Sequence, residues 1–504
     1  MNNPHSAFHI PKSEGRWVAL AALVVVLLSS LPYGVVALTT PAELRFGGAL
    51  VNPIDGQSYL AKMRQGYDGF WLFRLPFTAQ DEPDAFLFTY HLALGHLARL
   101  TGLSLTALYH AARILGGWGL LLISYRVIAR VFDTRAERRR AWLFVAATSG
   151  LGWIGVTSTD LNIPESNTFF SILANAHFAV ALALMLIVFM AVLDGSRLAA
   201  ALASIGLAII QPFAPIAVFA ALGVYLLLVA RRRQLIAALV AGLSLTPLML
   251  YFYLITQRDP ILQSWSAQNL TPSPSPLEYV IGYGLLGLLA IPGARTAWRR
   301  GRDSDRLLVA WAVTSAFLLY LPFPLQRRFS LGLHIPIVLL GVTGLMQNLV
   351  PALRGRLARW IPRLVFALAL PSTLMLLLAT SGAALRPPDP RLFVSADEAA
   401  AFDWLRANVP HDSVVLAAPA TGLFLPAWAD TRVLYGHPFE TVEAERMRRV
   451  VEDFFEESST RPAVISDYGV DYIFFGPQER RLGAPESDWP VAFSVGDVTL
   501  YRVP

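Results

Sequence analysis

The chain has 504 residues, 55% of them hydrophobic and 15% charged, with a mean hydropathy of +0.50 and no cysteine. That balance excludes an ordinary soluble enzyme, and the missing cysteines exclude disulfides, thiolate metal centres and cysteine nucleophiles. The net charge of +6 is almost wholly arginine, since lysine stands only at Lys12 and Lys62, and the arginines cluster beside apolar runs as topology signals do, not as a nucleic-acid surface does.

Several apolar runs approach or exceed the roughly 20 residues a helix needs to cross a bilayer, and none alternates as an outer-membrane strand would. The first, 17–38, is longer than a signal-peptide core, lacks a small-residue cleavage site and reads as a retained anchor. A polar stretch, 39–85, is too hydrophilic to cross, and 87–100 reads as a short amphipathic helix. The run 105–132 ends in a cluster of Arg126, Arg130, Arg135, Arg138, Arg139 and Arg140, a strong inside signal. From there spans alternate over 141–157, 177–193, 198–210, 213–229, 235–255, 277–298, 307–320, 335–350 and 364–380. The arginine clusters at 231–233, 299–306 and 354–363 all fall on the inside. The sum is about eleven spans, with the N-terminus cytoplasmic and the C-terminus extracytoplasmic. The loop 256–276, rich in proline and serine, reads as extended backbone.

One pair breaks the scheme. Arg327 and Arg328, in "LPFPLQRRFSLG", fall at the outer end between two spans. Snorkelling to headgroups or pairing with a carboxylate is the plain explanation. The sharper one is a phosphate clamp, because guanidinium groups bind phosphate with paired donors and the phosphate at this depth belongs to a lipid headgroup or a lipid-linked substrate.

Past "LRPPDPR" the chain gains charge and loses long apolar runs, so 387–504 reads as a small α/β soluble domain following a membrane domain over 1–386 with outer loops 39–85, 158–176 and 256–276. Ser395 caps a helix, "SVVLAA" and "VDYIFFG" read as strands, and "VEAERMRRVVEDFFEE" as a second helix.

Two motifs are set aside. "GLGWIG", Gly150 to Gly155, matches a dinucleotide fingerprint but sits in an expected membrane helix with no preceding soluble strand, so close packing of small residues explains it. The sequon at Asn269 is read as chance. The acidic outer loops are more informative. Asp55 lies in "NPIDGQSYLAKM", where a turn leads into a helix, while Asp81, Glu82 and Asp84 read as a solvated loop. The second outer loop adds Asp160, Glu165 and His177. With Asp55 these form either an acid/base site or a site for a divalent cation, magnesium or manganese, the alternative being caps and an interfacial histidine.

A first outer loop carrying Asp55, an acidic second loop "TDLNIPESNTF", the short helices of "LAIIQPFAPIAVF", the outer arginines of "LPFPLQRRFSLGLHIPIVLLGVTGL" and a soluble C-terminal domain together resemble the GT-C superfamily of integral-membrane glycosyltransferases. The tail motifs "WLRANVP", "GHPFET" and "YGVDYIFFGP" look like the outer domain of bacterial members. The resemblance implies a polytopic α-helical enzyme of the cell inner (plasma) membrane that moves a sugar from a polyprenyl-phosphate-linked donor to an extracytoplasmic glycan, lipid or protein acceptor, with inversion. Asp55 would be the base or a metal ligand, Arg327 and Arg328 would hold the donor phosphate, and Asp160, Glu165 and His177 are candidates for an acceptor or second acidic site. A cation, if bound, would sit on Asp55 and Asp160. The second acidic residue and the "WWDYG"-like signature of oligosaccharyltransferases are absent, which argues against N-glycosylation, and Gly56 stands where protein mannosyltransferases pair Asp with Glu. A lipid or polysaccharide transporter and a non-catalytic membrane binding protein are the rival classes. The first lacks the expected internal repeats; the second has no use for acidic outer loops.

Overall fold

The computed structural model describes residues 11–81, 83–229, 231–383, 385, 389–483 and 489–504. The chain is mostly helical and forms two compact bodies. One comprises Met1–Pro32, Ala111–Leu250 and Leu270–Ser381; the other comprises Tyr33–His110, Tyr251–Asn269 and Gly382–Pro504. The second body therefore holds the polar first loop as well as the C-terminal residues. The expected boundary at 386/387 lies outside the described residues, as does Glu82.

Most of the long apolar runs form helices. Leu105–Ala129, Ala176–Asp194, Arg232–Arg258, Pro276–Arg300, His334–Ala352 and Gly355–Ala383 are six helices long and apolar enough to cross a membrane, and Lys12–Leu28 with Leu31–Thr39, bent by 40°, makes a seventh. Arg135–Ala147, Arg197–Ile210, Ala214–Val229 and Asp303–Leu318 are shorter helices of 13 to 16 residues. The bend in the first pair has a local cause. The buried Arg113 guanidinium donates to Ser29 Oγ (3.2 Å), Ser30 Oγ (2.9 Å) and the Ile172 carbonyl (3.2 Å), and both serines turn their hydroxyls onto the Val26 carbonyl. Trp142, Trp311, Leu186 and Val338 belong to one continuous apolar core, while Leu227, Leu243, Ile291 and Leu378 stay largely exposed, an arrangement suited to lipid and not to water.

Arginines assigned to the inner side are tied into ion pairs: Arg138 with Glu14, Arg130 with Asp194, Arg231 with Asp303 and Arg302 with Asp133, at 2.6–2.7 Å.

Two local expectations are corrected. "GLGWIG" is not inside a helix: the preceding helix stops at Ala147, residues 148–151 are loop, and Gly152–Ile154 is a 3₁₀ turn. Close packing is nevertheless what the glycines provide, since a Cβ on Gly150 would stand 2.3 Å from the Gly282 carbonyl oxygen. The loop 256–276 is not extended throughout, because Asp259 caps a helix, Pro260–Gln268, by accepting from the Leu262 N–H (2.8 Å), with Pro260 at the one turn that tolerates it.

The second body is built on a mixed sheet. Strands β1 (Leu44–Phe46) and β2 (Phe393–Ser395) pair antiparallel, stitching the first loop to the tail. β3 (Val414–Leu416), β4 (Arg432–Val433), β5 (Tyr472–Phe475), β6 (Val491–Val495) and β7 (Val498–Arg502) form a sheet in the order β4-β3-β5-β7-β6. β4, β3 and β5 run parallel, and the β6–β7 hairpin adds antiparallel to β5. Helix Ala396–Asn408 starts in a full capping box of Ser395 and Glu398 and packs Phe402 and Leu405 into one core; helix Ala444–Glu456 packs Val451 and Phe454 into another.

Candidate active site

Asp55 lies in the first turn of helix Pro53–Asp68, which begins after Asn52 in the left-handed region (φ 49°) with Pro53 at the first helical position. A carboxylate at a helix N-terminus meets the positive end of the backbone dipoles. Its side chain is 42% exposed, and Oδ1 stands 3.4 Å from Nε2 of His437, which is 1% exposed. One helical turn further along the same face, Ser58 and Lys62 meet Glu440. Lys62 Nζ contacts Glu440 Oε1 and Ser58 Oγ, each at 2.6 Å, and Ser58 Oγ donates to Glu440 Oε1 at 2.6 Å. Lys62 has no exposed side-chain surface, and its ammonium sits 3.8 Å over the Phe88 ring. Burial alone would push the Glu440 carboxyl up. The Lys62 charge and the hydrogen bonds from Lys62 and Ser58 hold it below the usual carboxylate range.

His437 and Glu440 come from "GHPFET", and neither was singled out by reasoning from the sequence; nor was Lys62. A signal for Lys62 existed. In a chain that uses arginine nearly everywhere, a lone lysine outside the N-terminal segment marks a site that needs a compact point charge and has no room for a planar fork.

In the first body, Arg327 and Arg328 occupy a 3₁₀ turn, Gln326–Ser330, between helices Asp303–Leu318 and His334–Gly344. The turn is clasped by residues 271–274: Arg327 N–H donates to the Thr271 carbonyl (3.0 Å), Gln326 Oε1 accepts from Ser273 N–H (3.2 Å), and Tyr320 donates to the Pro274 carbonyl (3.0 Å). Arg328 Nη1 is 3.9 Å from Glu165 Oε1, and its guanidinium lies 5.6 Å from the centre of the Phe213 ring. Arg327 Nε is buried without a hydrogen-bond partner among the described residues. Here the arginine pair and Glu165 meet, on segments far apart in sequence. His177 is buried in the first turn of helix Ala176–Asp194, edge-on to Phe178.

Asp160 is placed differently. Its Oδ2 accepts from Gly150 N–H (2.9 Å), Gly152 N–H (3.3 Å) and Ser149 Oγ (3.2 Å), and its Oδ1 from Ser158 Oγ (2.5 Å). These four donors close the loop over 149–160. A carboxylate so engaged has little left for a cation, and no group of three or more His, Asp or Glu able to hold a metal occurs among the described residues. The hydrogen-bond donors around Asp160 do not fit a divalent ion on that carboxylate.

No protein-family model matches the sequence, and no curated protein does. Solved structures do match. ArnT from Cupriavidus metallidurans bound to undecaprenyl phosphate is 15% identical over 98% of this chain and 98% of its own, with a TM-score of 0.55. Arabinofuranosyltransferase AftD from Mycobacteria is 15% identical over 97% of this chain and 40% of its own, at 0.55. The Archaeoglobus fulgidus oligosaccharyltransferase tethered with an acceptor peptide is 16% identical over 90% and 68%, at 0.51. At these identities the likeness shows a common fold: this chain is folded like these three proteins.

Proposed function

We propose that the protein is a GT-C glycosyltransferase that moves a single sugar from a polyprenyl-phosphate-linked donor to an extracytoplasmic acceptor. The observation that carries this reading is the arginine pair of the Gln326–Ser330 turn, one guanidinium with a buried nitrogen unpartnered among the described residues and the other loosely held by Glu165, within a fold shared with a protein solved with undecaprenyl phosphate bound. The shorter helices would complete about eleven crossings of an inner (plasma) membrane, leaving the C-terminal domain, 387–504, outside.

In this mechanism the donor's phosphate lies against Arg327 and Arg328 while its prenyl tail stays in lipid. The acceptor hydroxyl attacks the anomeric carbon from the face opposite the phosphate, and Asp55 takes the hydroxyl proton. The anomeric C–O bond breaks with its electron pair going to the phosphate, so negative charge grows where the arginines stand. Donors aimed at developing charge stabilise the transition state more than the ground state. A single displacement inverts the anomeric configuration. No step runs through a metal. Glu165 and His177 would contact the acceptor or orient the arginines, and Asp160 would keep the second outer loop in shape.

The test is transfer from a panel of radiolabelled polyprenyl-phosphate sugars to lipid extracts of the native host, with and without chelator, by the wild type, Asp55→Asn and Arg327→Ala. Both variants should fold and lose turnover, by about 10²–10³-fold for the loss of one charge-stabilising donor. Full turnover in Asp55→Asn refutes the base assignment, and a wild type silent across the panel favours a transporter or a binding protein.

A further inference from the structure

The loop 436–441 holds its histidine by a set of constraints that leaves one ring nitrogen only one proton state. Thr441 Oγ1 accepts from the backbone N–H groups of Gly436 (3.3 Å) and His437 (3.2 Å), and Thr441 N–H returns to the His437 carbonyl (3.0 Å). Glycine is required at 436, where a Cβ would come 2.3 Å from the Gly422 carbonyl oxygen. Inside this closed turn His437 Nδ1 receives two backbone N–H groups, from Phe439 and Glu440, each at 3.1 Å. A nitrogen that accepts from two N–H groups carries no proton, so the neutral imidazole keeps its proton on Nε2. That Nε2 is buried, completes no hydrogen bond of good geometry among the described residues, and faces Asp55 Oδ1 at 3.4 Å. The Phe77 ring lies 5.5 Å from the imidazole. The other charged groups at the loop, Glu440 and Lys62, are paired with each other at 2.6 Å.

Resting on the reading of Asp55 as the base, we propose that His437 is its positioning residue: the loop locks Nδ1 as an acceptor, and the Nε2–H so presented to Asp55 Oδ1 fixes the carboxylate's rotamer and favours its ionised form. His437 neither gains nor loses a proton in the reaction; the acceptor's proton ends on Asp55. The contact closes from 3.4 Å into a hydrogen bond when substrate orders the carboxylate, as contacts of this kind commonly do. The role is indirect, since the imidazole touches the base and not the substrate.

Two substitutions divide the functions of the ring. In His437→Asn the amide oxygen replaces Nδ1 as the acceptor for the two backbone N–H groups, and the ring N–H that faced Asp55 is gone. In His437→Gln an amide N–H reaches toward Asp55. The readout is independent of turnover: carbodiimide labels protonated carboxyls only, so the extent of labelling at Asp55, followed by mass spectrometry across pH in the full-length protein in detergent, gives the midpoint of its titration. His437→Asn should move that midpoint about one pH unit upward, and His437→Gln should return it toward the wild type. With a donor found in the panel, kcat of His437→Asn should fall roughly 10–100-fold with KM nearly unchanged, and the acid limb of the rate profile should move up with the labelling midpoint. An unshifted midpoint beside an inactive Asp55→Asn overturns the role of His437 and leaves the base standing. Full turnover in Asp55→Asn overturns the base, and the catalytic meaning of His437 with it.

Discussion

Replacing Lys62 with methionine keeps the length of the side chain and removes its charge, in a place where the charge has no water to fall back on. The Lys62 side chain has no exposed surface, its ammonium is 2.6 Å from Glu440 Oε1, and Glu440 is itself 12% exposed. At an effective dielectric near 20, opposite charges at that distance attract by about 6 kcal/mol, most of which offsets the desolvation of both groups. Deleting the ammonium leaves the Glu440 carboxylate buried with Ser58 as its remaining close donor, and breaking a buried pair from one side costs about 3–5 kcal/mol. In a body of this size that lowers the melting midpoint by roughly 10 °C. Tryptophan-fluorescence melting in detergent, with limited proteolysis to show which body opens first, is the assay. Lys62→Met combined with Glu440→Leu should recover most of the loss, because a packed apolar pair is about as stable as the ion pair it replaces. A single variant that melts with the wild type, or a double variant no better than the single, refutes the reasoning. The sign with pH follows from the same pair. Glu440 is held below its ordinary value of 4.5, so its contribution is in place above that pH and is lost as the pH falls through the lowered folded value.

A second pair gives the opposite slope. Burial first, and then the neighbouring Asp68 charge, push Asp430 up to about 7, and Asp68, which hydrogen-bonds to it, is raised as well. A raised folded value contributes stability at acid pH that is lost as the pH rises to about 7, so the melting midpoint should decline between about pH 4 and pH 7, and Asp430→Asn should flatten that decline; an unchanged slope in the variant refutes the assignment. Asp160→Ala deserts two buried backbone N–H groups, of Gly150 and Gly152, and should cost roughly 2–5 kcal/mol in thermal stability. If it melts like the wild type yet abolishes turnover, Asp160 belongs to the chemistry and not to the loop.

Much of the helical architecture was legible because membrane burial writes itself into composition: a run of apolar residues bounded by arginine has few alternatives in lipid. The helices of the first body begin and end within a few residues of the apolar runs wherever a cap or an arginine marks the end, as at Ala176–Asp194, Ala214–Val229 and Pro276–Arg300. Reading failed where backbone is held by side chains distant from it in sequence or by a cap inside a proline-rich stretch. Apolarity alone predicts helix over "GLGWIG", but Asp160 draws the N–H groups of Gly150 and Gly152 out of any helical ladder. The proline of "RDPILQ" suggested extended chain, yet Asp-Pro is also how a helix begins, and the Asp259 cap decided it.

The candidate residues were legible only in part, and the reason is the sequence separation of the groups that meet. Asp55 could be singled out as an acidic residue after the first apolar run, and Arg327 with Arg328 as charges on the wrong side of a pattern; each is an anomaly against its local background. His437 and Glu440 are not anomalous where they stand, in a polar loop of a polar domain. Their significance comes from β1 pairing with β2 and from the 436–441 loop meeting helix Pro53–Asp68, contacts that join positions such as Ser58 and Glu440 across 382 residues. No period, cap or charge run encodes a contact of that range. What the sequence does carry is its cost: Gly436 for the close approach to Gly422, Thr441 to close the turn, and a lysine at 62 in a chain that otherwise chooses arginine. These three exceptions meet where the 436–441 loop packs on the face of helix Pro53–Asp68 that carries Asp55, so residues near the end of the sequence shape the surroundings of that carboxylate.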